Sequence, residues 1–196
     1  MLMKRSKRVF PFQIFRAYDI RGKVEQMDGE VMYAIAYALA QQYKTQEQSE
    51  IVIGYDARLS SPHFAKIIAD VFRTQNFNVK TLGCCSTPQM YFAARGTQGN
   101  GIMVTASHNP ISDNGIKWII QSEPPCPDKI QHVAQIANQF INDSFNDLEL
   151  EADLIFDAEK NQYAHDIHLE LCHSYQKAML EDIQLKRPFK VVLDGL

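Results

Sequence analysis

Between residues 15 and 142 the chain switches repeatedly between short apolar runs and longer segments of helical period, and this alternation limits the fold more than any other feature. Glu30 to Lys44 is rich in Ala, Tyr, Ile and Leu and free of Gly and Pro, which predicts a helix. Ile51-Val52-Ile53, stopped by Gly54, predicts a buried strand. Pro62 opens a second helix, with Phe64, Ile67, Ile68, Val71 and Phe72 on one stripe. Val79 to Cys84 then reads as a strand, Pro88 to Arg95 as a short helix, and Gly101 to Thr105 as a buried strand. Asp113-Asn114-Gly115 reads as a turn, Ile116 to Ile120 as a strand and Pro127 to Asn142 as a helix. Such alternation implies an α/β fold, a layered sheet covered by helices on both faces. Ligands of these sheets gather at the carboxyl ends of strands. Several polar clusters of this chain follow apolar runs directly.

Composition narrows the class. The 196 residues include 20 Lys and Arg against 23 Asp and Glu, a mild acidity that argues against a nucleic-acid footprint along the whole chain. No run approaches the roughly 18 apolar residues of a membrane-spanning helix. The basic start (Lys4, Arg5, Lys7, Arg8) is not followed by an apolar stretch, so it reads as a frayed terminus rather than a signal peptide. Cys84, Cys85, Cys126 and Cys172 show no metal-ligand spacing, and the expectation is reduced thiols in a cytoplasmic protein.

The expected first domain covers residues 10–150. A connector and helix follow over 151–187, the connector marked by the absence of Lys and Arg from Ile130 to Glu159 and the helix expected over Ala158 to Ile183. Phe189 to Asp194 reads as a strand, so 188–196 is expected to be the first strand of a truncated second α/β domain, exposed and open to pairing with another chain.

Three clusters carry the chemistry. Thr105-Ala106-Ser107-His108-Asn109-Pro110 brings a hydroxyl between small and polar residues at a strand end, followed by Asp113 to Lys117. Small neighbours let a phosphate approach Ser107, loop N–H groups can receive its oxygens, and Lys117 returns on the next strand toward the same pocket. The same six residues also suit a plain turn. A hydrolase elbow is excluded because Thr105 and Asn109 stand where glycines are needed. His108 is expected to point away from Ser107, as neighbours on an extended strand do. Phe15 to Gly22 offers Arg21, whose fork matches phosphate oxygens, or else a structural Arg–Asp pair. In Gly54 to Pro62, Asp56 and Arg58 either support the serine loop or pair with each other, and Ser60 or Ser61 suits a helix N-cap.

Taken together and in this order, the clusters resemble the α-D-phosphohexomutase family, in particular its bacterial phosphomannomutase/phosphoglucomutase branch. The match runs through Phe15 to Gly22, Gly54 to Pro62 with Thr87-Pro88, Thr105 to Pro110 and Asp113 to Lys117. It corresponds to the first of that family's four domains. The resemblance implies a phosphorylated Ser107 that exchanges its phosphoryl group with a hexose phosphate through a hexose 1,6-bisphosphate, interconverting 1- and 6-phosphates. It further implies that Arg21 and Lys117 stabilise charge or move protons and that His108 lies beside the nucleophile. Tyr18 and Asn109 would contact substrate or phosphate, with Asp56 and Arg58 in a supporting loop. One Mg2+ would be held through the Ser107 phosphate. The family's Asp-x-Asp-x-Asp-Arg metal loop and later substrate loops do not occur in this sequence, so the missing C-terminal domains are expected partners and the 196-residue chain alone is expected to be inactive. A second reading makes it a non-catalytic domain binding phosphate or a partner through the same loop.

Overall fold

The computed structural model describes residues 9–143 and 169–193. The basic start, the acidic stretch beyond Asp143 and Asp194-Gly195-Leu196 lie outside the described residues. Five strands form one mixed sheet in the order β1-β5-β4-β2-β3: β1 is Ile20–Lys23, β2 Glu50–Tyr55, β3 Asn78–Cys84, β4 Gly101–Val104 and β5 Asp113–Ile119. The β2 strand runs parallel to β3 and β4, and β5 runs antiparallel to both β4 and β1. Parallel neighbours need crossover helices. Here α2 (Ser61–Thr74) joins β2 to β3 and α3 (Thr87–Ala94) joins β3 to β4.

Helices cover both faces. On one, α1 (Gly29–Lys44) packs between α2 and α4 (Pro127–Asp143). The predicted stripe of α2, from Phe64 to Phe72, is buried there with Ile35, Leu39, Val133 and Ala137. Each large apolar side chain so buried contributes about 1.5–3 kcal/mol. The polar tips inside this layer are satisfied: Trp118 Nε1 donates to Gln42 Oε1 at 2.9 Å, and the Tyr43 hydroxyl donates to the Ile119 carbonyl at 2.8 Å. On the other face, Met90 and Ala94 of α3 join Val52, Leu82 and Met103, and Leu171 of α5 (Leu169–Asp182) closes the cluster. Helix starts are set locally, by the Asp28 carboxylate accepting from Val31 N–H and by Ser86 and Gln89 capping α3 reciprocally. The four cysteines are free thiols, and burial, with the nearby Cys84 and Cys172, pushes Cys85 up to about 12.

Two sequence expectations are corrected, and a third is met in part. Asp113-Asn114-Gly115 is not a turn but the start of β5, because β1, a strand the sequence pattern did not announce, pairs Lys23, Gly22 and Arg21 with those residues. The reversal falls earlier, where Asp113 N–H donates to the Pro110 carbonyl at 3.0 Å. Residues 189–193 form no strand and are exposed: among the described residues no strand lies beside them, so they have no ladder to join. Of the helix expected over Ala158 to Ile183, Leu169–Asp182 is helical, and 158–168 lies outside the described residues.

Candidate active site on the loop after β4

The carboxyl ends of β2 and β4 lie side by side, since Tyr55 pairs with Val104 in register. The loops that leave them, residues 56–60 and 105–112, therefore meet at one edge of the sheet. Ser107 sits exposed on the second loop at φ +56°, a left-handed conformation that costs a serine roughly 1 kcal/mol or more. Something must hold it there.

Arg58 and Asp56 supply much of the hold. The Arg58 guanidinium donates to the carbonyl oxygens of Ser107 (2.9 Å), Asn109 (2.8 Å), Pro110 (2.6 Å) and Asp113 (3.0 Å). A planar fork with five N–H donors suits this task. The Asp56 carboxylate orients that fork, accepting from Arg58 Nε at 3.1 Å, and also accepts from the hydroxyls of Thr105 (2.7 Å) and Ser61 (2.6 Å). The two residues bind each other, and both hydrogen-bond to the serine loop.

Arg21 reaches the same loop from β1. Its Nη1 donates to Asn109 Oδ1 at 2.9 Å and its Nη2 to Asp19 Oδ2 at 2.5 Å. Lys117 on β5 donates to that same Asp19 oxygen at 2.8 Å. Burial alone raises the Asp19 pKa, but the hydrogen bonds and charges of Lys117 and Arg21 more than offset it and hold the carboxyl below its ordinary value. Asp113 is likewise held low, first by the hydrogen bond from Asn109 Nδ2 at 2.9 Å.

These groups enclose a cleft of about 430 Å³, lined by Arg16, Tyr18, Asp19, Arg21, Gly22, Asn109, Asp113 and Lys117. Three cations face two carboxylates, both already engaged, so the open cleft favours an anion. Tyr18 stands at its rim, 80% exposed. Ser107 and His108 are outside the lining; Asn109 is their link to it, and the Ser107 hydroxyl makes no hydrogen bond to Lys117 or Arg21 among the described residues. One expectation fails: Ser107 Oγ lies 3.3 Å from His108 Nδ1, because the loop turns at Ser107 and the alternation of an extended strand no longer applies.

Sequence reasoning passed over Thr105, Asn114 and Arg16. Thr105 and Asn114 look like ordinary loop and turn residues until β5 is seen to begin at Asp113. Ser60 occupies the N-cap position of α2 but caps nothing with its side chain; its hydroxyl accepts from Asn114 Nδ2 at 2.7 Å instead.

The architecture is that of a three-layer α/β/α domain presenting a serine beside an anion-favouring cleft. Residues 12–147 match the family model described as phosphoglucomutase/phosphomannomutase, alpha/beta/alpha domain I, and the chain belongs to that family. It is 32% identical over 184 residues to a phosphoglucomutase of Neisseria meningitidis, covering 93% of this chain and 37% of that one. It is 32% identical over 186 residues to a phosphomannomutase/phosphoglucomutase of Pseudomonas putida, covering 94% and 36%. A crystal structure of a phosphoglucomutase/phosphomannomutase family protein from Burkholderia thailandensis superposes with a TM-score of 0.62 at 31% identity, over 70% of this chain and 31% of that one. The chain thus spans about a third of the length of these relatives. No described helix is long and apolar enough to cross a membrane.

Proposed function

We propose that this chain is the phosphoserine-bearing part of a cytoplasmic phosphomannomutase/phosphoglucomutase that interconverts hexose 1- and 6-phosphates. The observation that carries the reading is Ser107, exposed at the tip of a loop whose backbone is fastened by Arg58, next to a cleft rich in cations. Phosphoryl transfer asks little covalent chemistry of the protein; positioning and charge neutralisation lower the barrier. In the first half-reaction the Ser107 Oγ–P bond breaks and a P–O bond to a hydroxyl of the hexose monophosphate forms. The sugar hydroxyl proton ends on Ser107 Oγ, and His108 Nδ1 at 3.3 Å is placed to relay it. The hexose 1,6-bisphosphate then presents its other phosphoryl group and the step runs in reverse. Arg21 and Lys117 meet the phosphoryl charge in the cleft, Asn109 ties Arg21 to the serine loop, and Tyr18 covers the sugar at the rim.

The expected Mg2+ is not accommodated by the described residues alone. Asp19, Asp56 and Asp113 are committed to cations, hydroxyls or amides, and among the described residues no group of three or more His, Cys, Asp or Glu is placed to hold a metal ion. A Mg2+ bound through a Ser107 phosphate would take its remaining oxygen ligands from outside them, and no step above runs through it.

The test is covalent. Incubation with glucose 1,6-bisphosphate, followed by intact mass and peptide mapping, is expected to add ~80 Da at Ser107 in the wild type and nothing in Ser107→Ala. Free turnover of hexose phosphates by the 196-residue chain is not expected. Absence of the label at Ser107, both in protein as isolated and after incubation, would leave only the phosphate- or partner-binding reading.

A further inference from the structure

Ser107 holds a positive φ that no glycine supplies, and Arg58 grips only the carbonyl side of the loop. The remaining tie is on the amide side. Ser107 N–H donates to Thr105 Oγ1 at 2.9 Å, and the Thr105 hydroxyl donates in turn to Asp56 Oδ2 at 2.7 Å. We propose that Thr105 is the positioning residue that fixes the backbone of Ser107, relaying the negative charge of Asp56 to the serine amide through a single hydroxyl.

The direction of the relay is settled by chemistry. A carboxylate accepts and an amide donates, so the lone Thr105 proton points to Asp56 and its lone pair to Ser107. Hydrogen bonds to a charged group are stronger than neutral ones, and bonds in a chain polarise one another. The relay is also anchored at its far end. Ser61 donates to the other Asp56 oxygen at 2.6 Å, and the fully buried Asn114 donates to both Ser61 (3.0 Å) and Ser60 (2.7 Å) while accepting from Gly115 N–H at 2.8 Å. Thr105 is itself strapped to β5, its N–H donating to the Gly115 carbonyl at 2.9 Å. The start of α2, the ends of β2 and β4 and the start of β5 thus converge on one amide. That amide belongs to the residue whose hydroxyl must be aimed, so the inference deepens the phosphoserine reading and rests on it for its purpose, though not for its geometry.

The test is amide hydrogen exchange of the 196-residue chain by NMR, together with the Ser107 backbone couplings that report φ. In the wild type the Ser107 amide is expected to exchange slowly although the residue is exposed, with couplings of a left-handed residue. Thr105→Ser keeps the hydroxyl and is expected to keep both. Thr105→Val keeps the shape and loses the hydroxyl; it is expected to speed Ser107 exchange roughly five- to tenfold and to shift its φ, with α1 and α4 amides unchanged. A wild-type Ser107 amide that exchanges at the rate of an unbonded exposed residue overturns the proposal, and that measurement requires no variant to fold. Unchanged Ser107 couplings and exchange in Thr105→Val overturn it as well. Neither readout needs Ser107 to be phosphorylated, so failure of the mutase reading is separate from failure of this one.

Discussion

Lys117 and Asp19 stand 98 positions apart in the chain and meet at 2.8 Å on the floor of the cleft, with the Asp19 side chain only 8% exposed. The same carboxylate oxygen takes Arg21, so one anion keeps two cations of β1 and β5 side by side. Their mutual repulsion is what the fold has to contain, and Asp19 contains it. Asp19→Asn removes the charge and leaves both cations in place. Breaking a buried ion pair from one side costs several kcal/mol, and the partial exposure of Lys117 and Arg21 lowers that to about 2 kcal/mol here. Urea denaturation of wild type and Asp19→Asn at pH 7 measures it directly.

The same contact fixes a pH dependence. The folded pKa of Asp19 lies below its ordinary value of 3.8. A depressed carboxylate stabilises the fold fully above its unfolded pKa, and that stabilisation fades as pH falls through the folded value. Stability contributed by Asp19 is therefore flat from pH 7 down to about 5 and is lost below about 4. Urea midpoints of wild type and Asp19→Asn are expected to differ most at neutral pH and to converge as pH falls below about 4. A gap that stays constant across this range would mean that the carboxylate carries no preferential charge stabilisation.

Much of this arrangement was legible in the residues. Helical stripes such as Phe64 to Phe72 and buried runs such as Ile51 to Ile53 announced the layers because one face of each had nowhere to go but inward. The serine loop was legible because small, polar and Pro residues follow a strand end in it. The short β1 was not, since Ile20-Arg21-Gly22-Lys23 has one fully apolar residue and gains its strand character only from pairing with β5. That pairing turned an apparent Asp-Asn-Gly turn into strand. It also hid the hub made by Thr105 and Asn114, whose partners come from distant segments and leave no local pattern.

Gly115 shows how tightly those segments close. A Cβ there would run into the backbone carbonyls of Ile20 on one side and Thr105 on the other; moving the first strains the β1–β5 pairing and moving the second strains the Thr105 N–H bond to the Gly115 carbonyl. Gly115→Ala is expected to cost about 3 kcal/mol, at the upper end of overpacking penalties. Because Thr105 would be displaced, labelling of Ser107 by glucose 1,6-bisphosphate is expected to fall even in the fraction that stays folded. Thermal unfolding and mass labelling on one preparation check both.

Arg58→Lys keeps the charge and removes the fork. An ammonium cannot serve four carbonyls spread over Ser107 to Asp113, so most of these bonds pass to water. A charge-assisted bond nets about 1.5–3 kcal/mol; lysine keeps the charge and one or two of the four contacts, so the expected loss is about 2–4 kcal/mol. If lysine instead restored wild-type stability and wild-type Ser107 labelling, charge alone would explain Arg58 and the shape argument would fall.

The last turn of α5 and the segment after it behave differently from the rest of the surface. Leu180, Leu185, Val192 and Leu193 are each at least two-thirds exposed, and Phe189 is more than half exposed. So many large apolar groups within fourteen residues are an association liability, and Lys186, Arg187 and Lys190 only dilute it. Backbone at 189–193, which joins no ladder among the described residues, adds donors and acceptors that a second chain can use. The 196-residue chain is expected to self-associate at micromolar concentration. Val192→Lys combined with Leu193→Glu breaks the apolar run without touching the docked residues Leu171 and Tyr175 of α5, and it is expected to return the protein to a monomer with an unchanged melting temperature. Sedimentation velocity across a concentration series reads the outcome, and equal association of wild type and double variant would move the liability elsewhere on the surface.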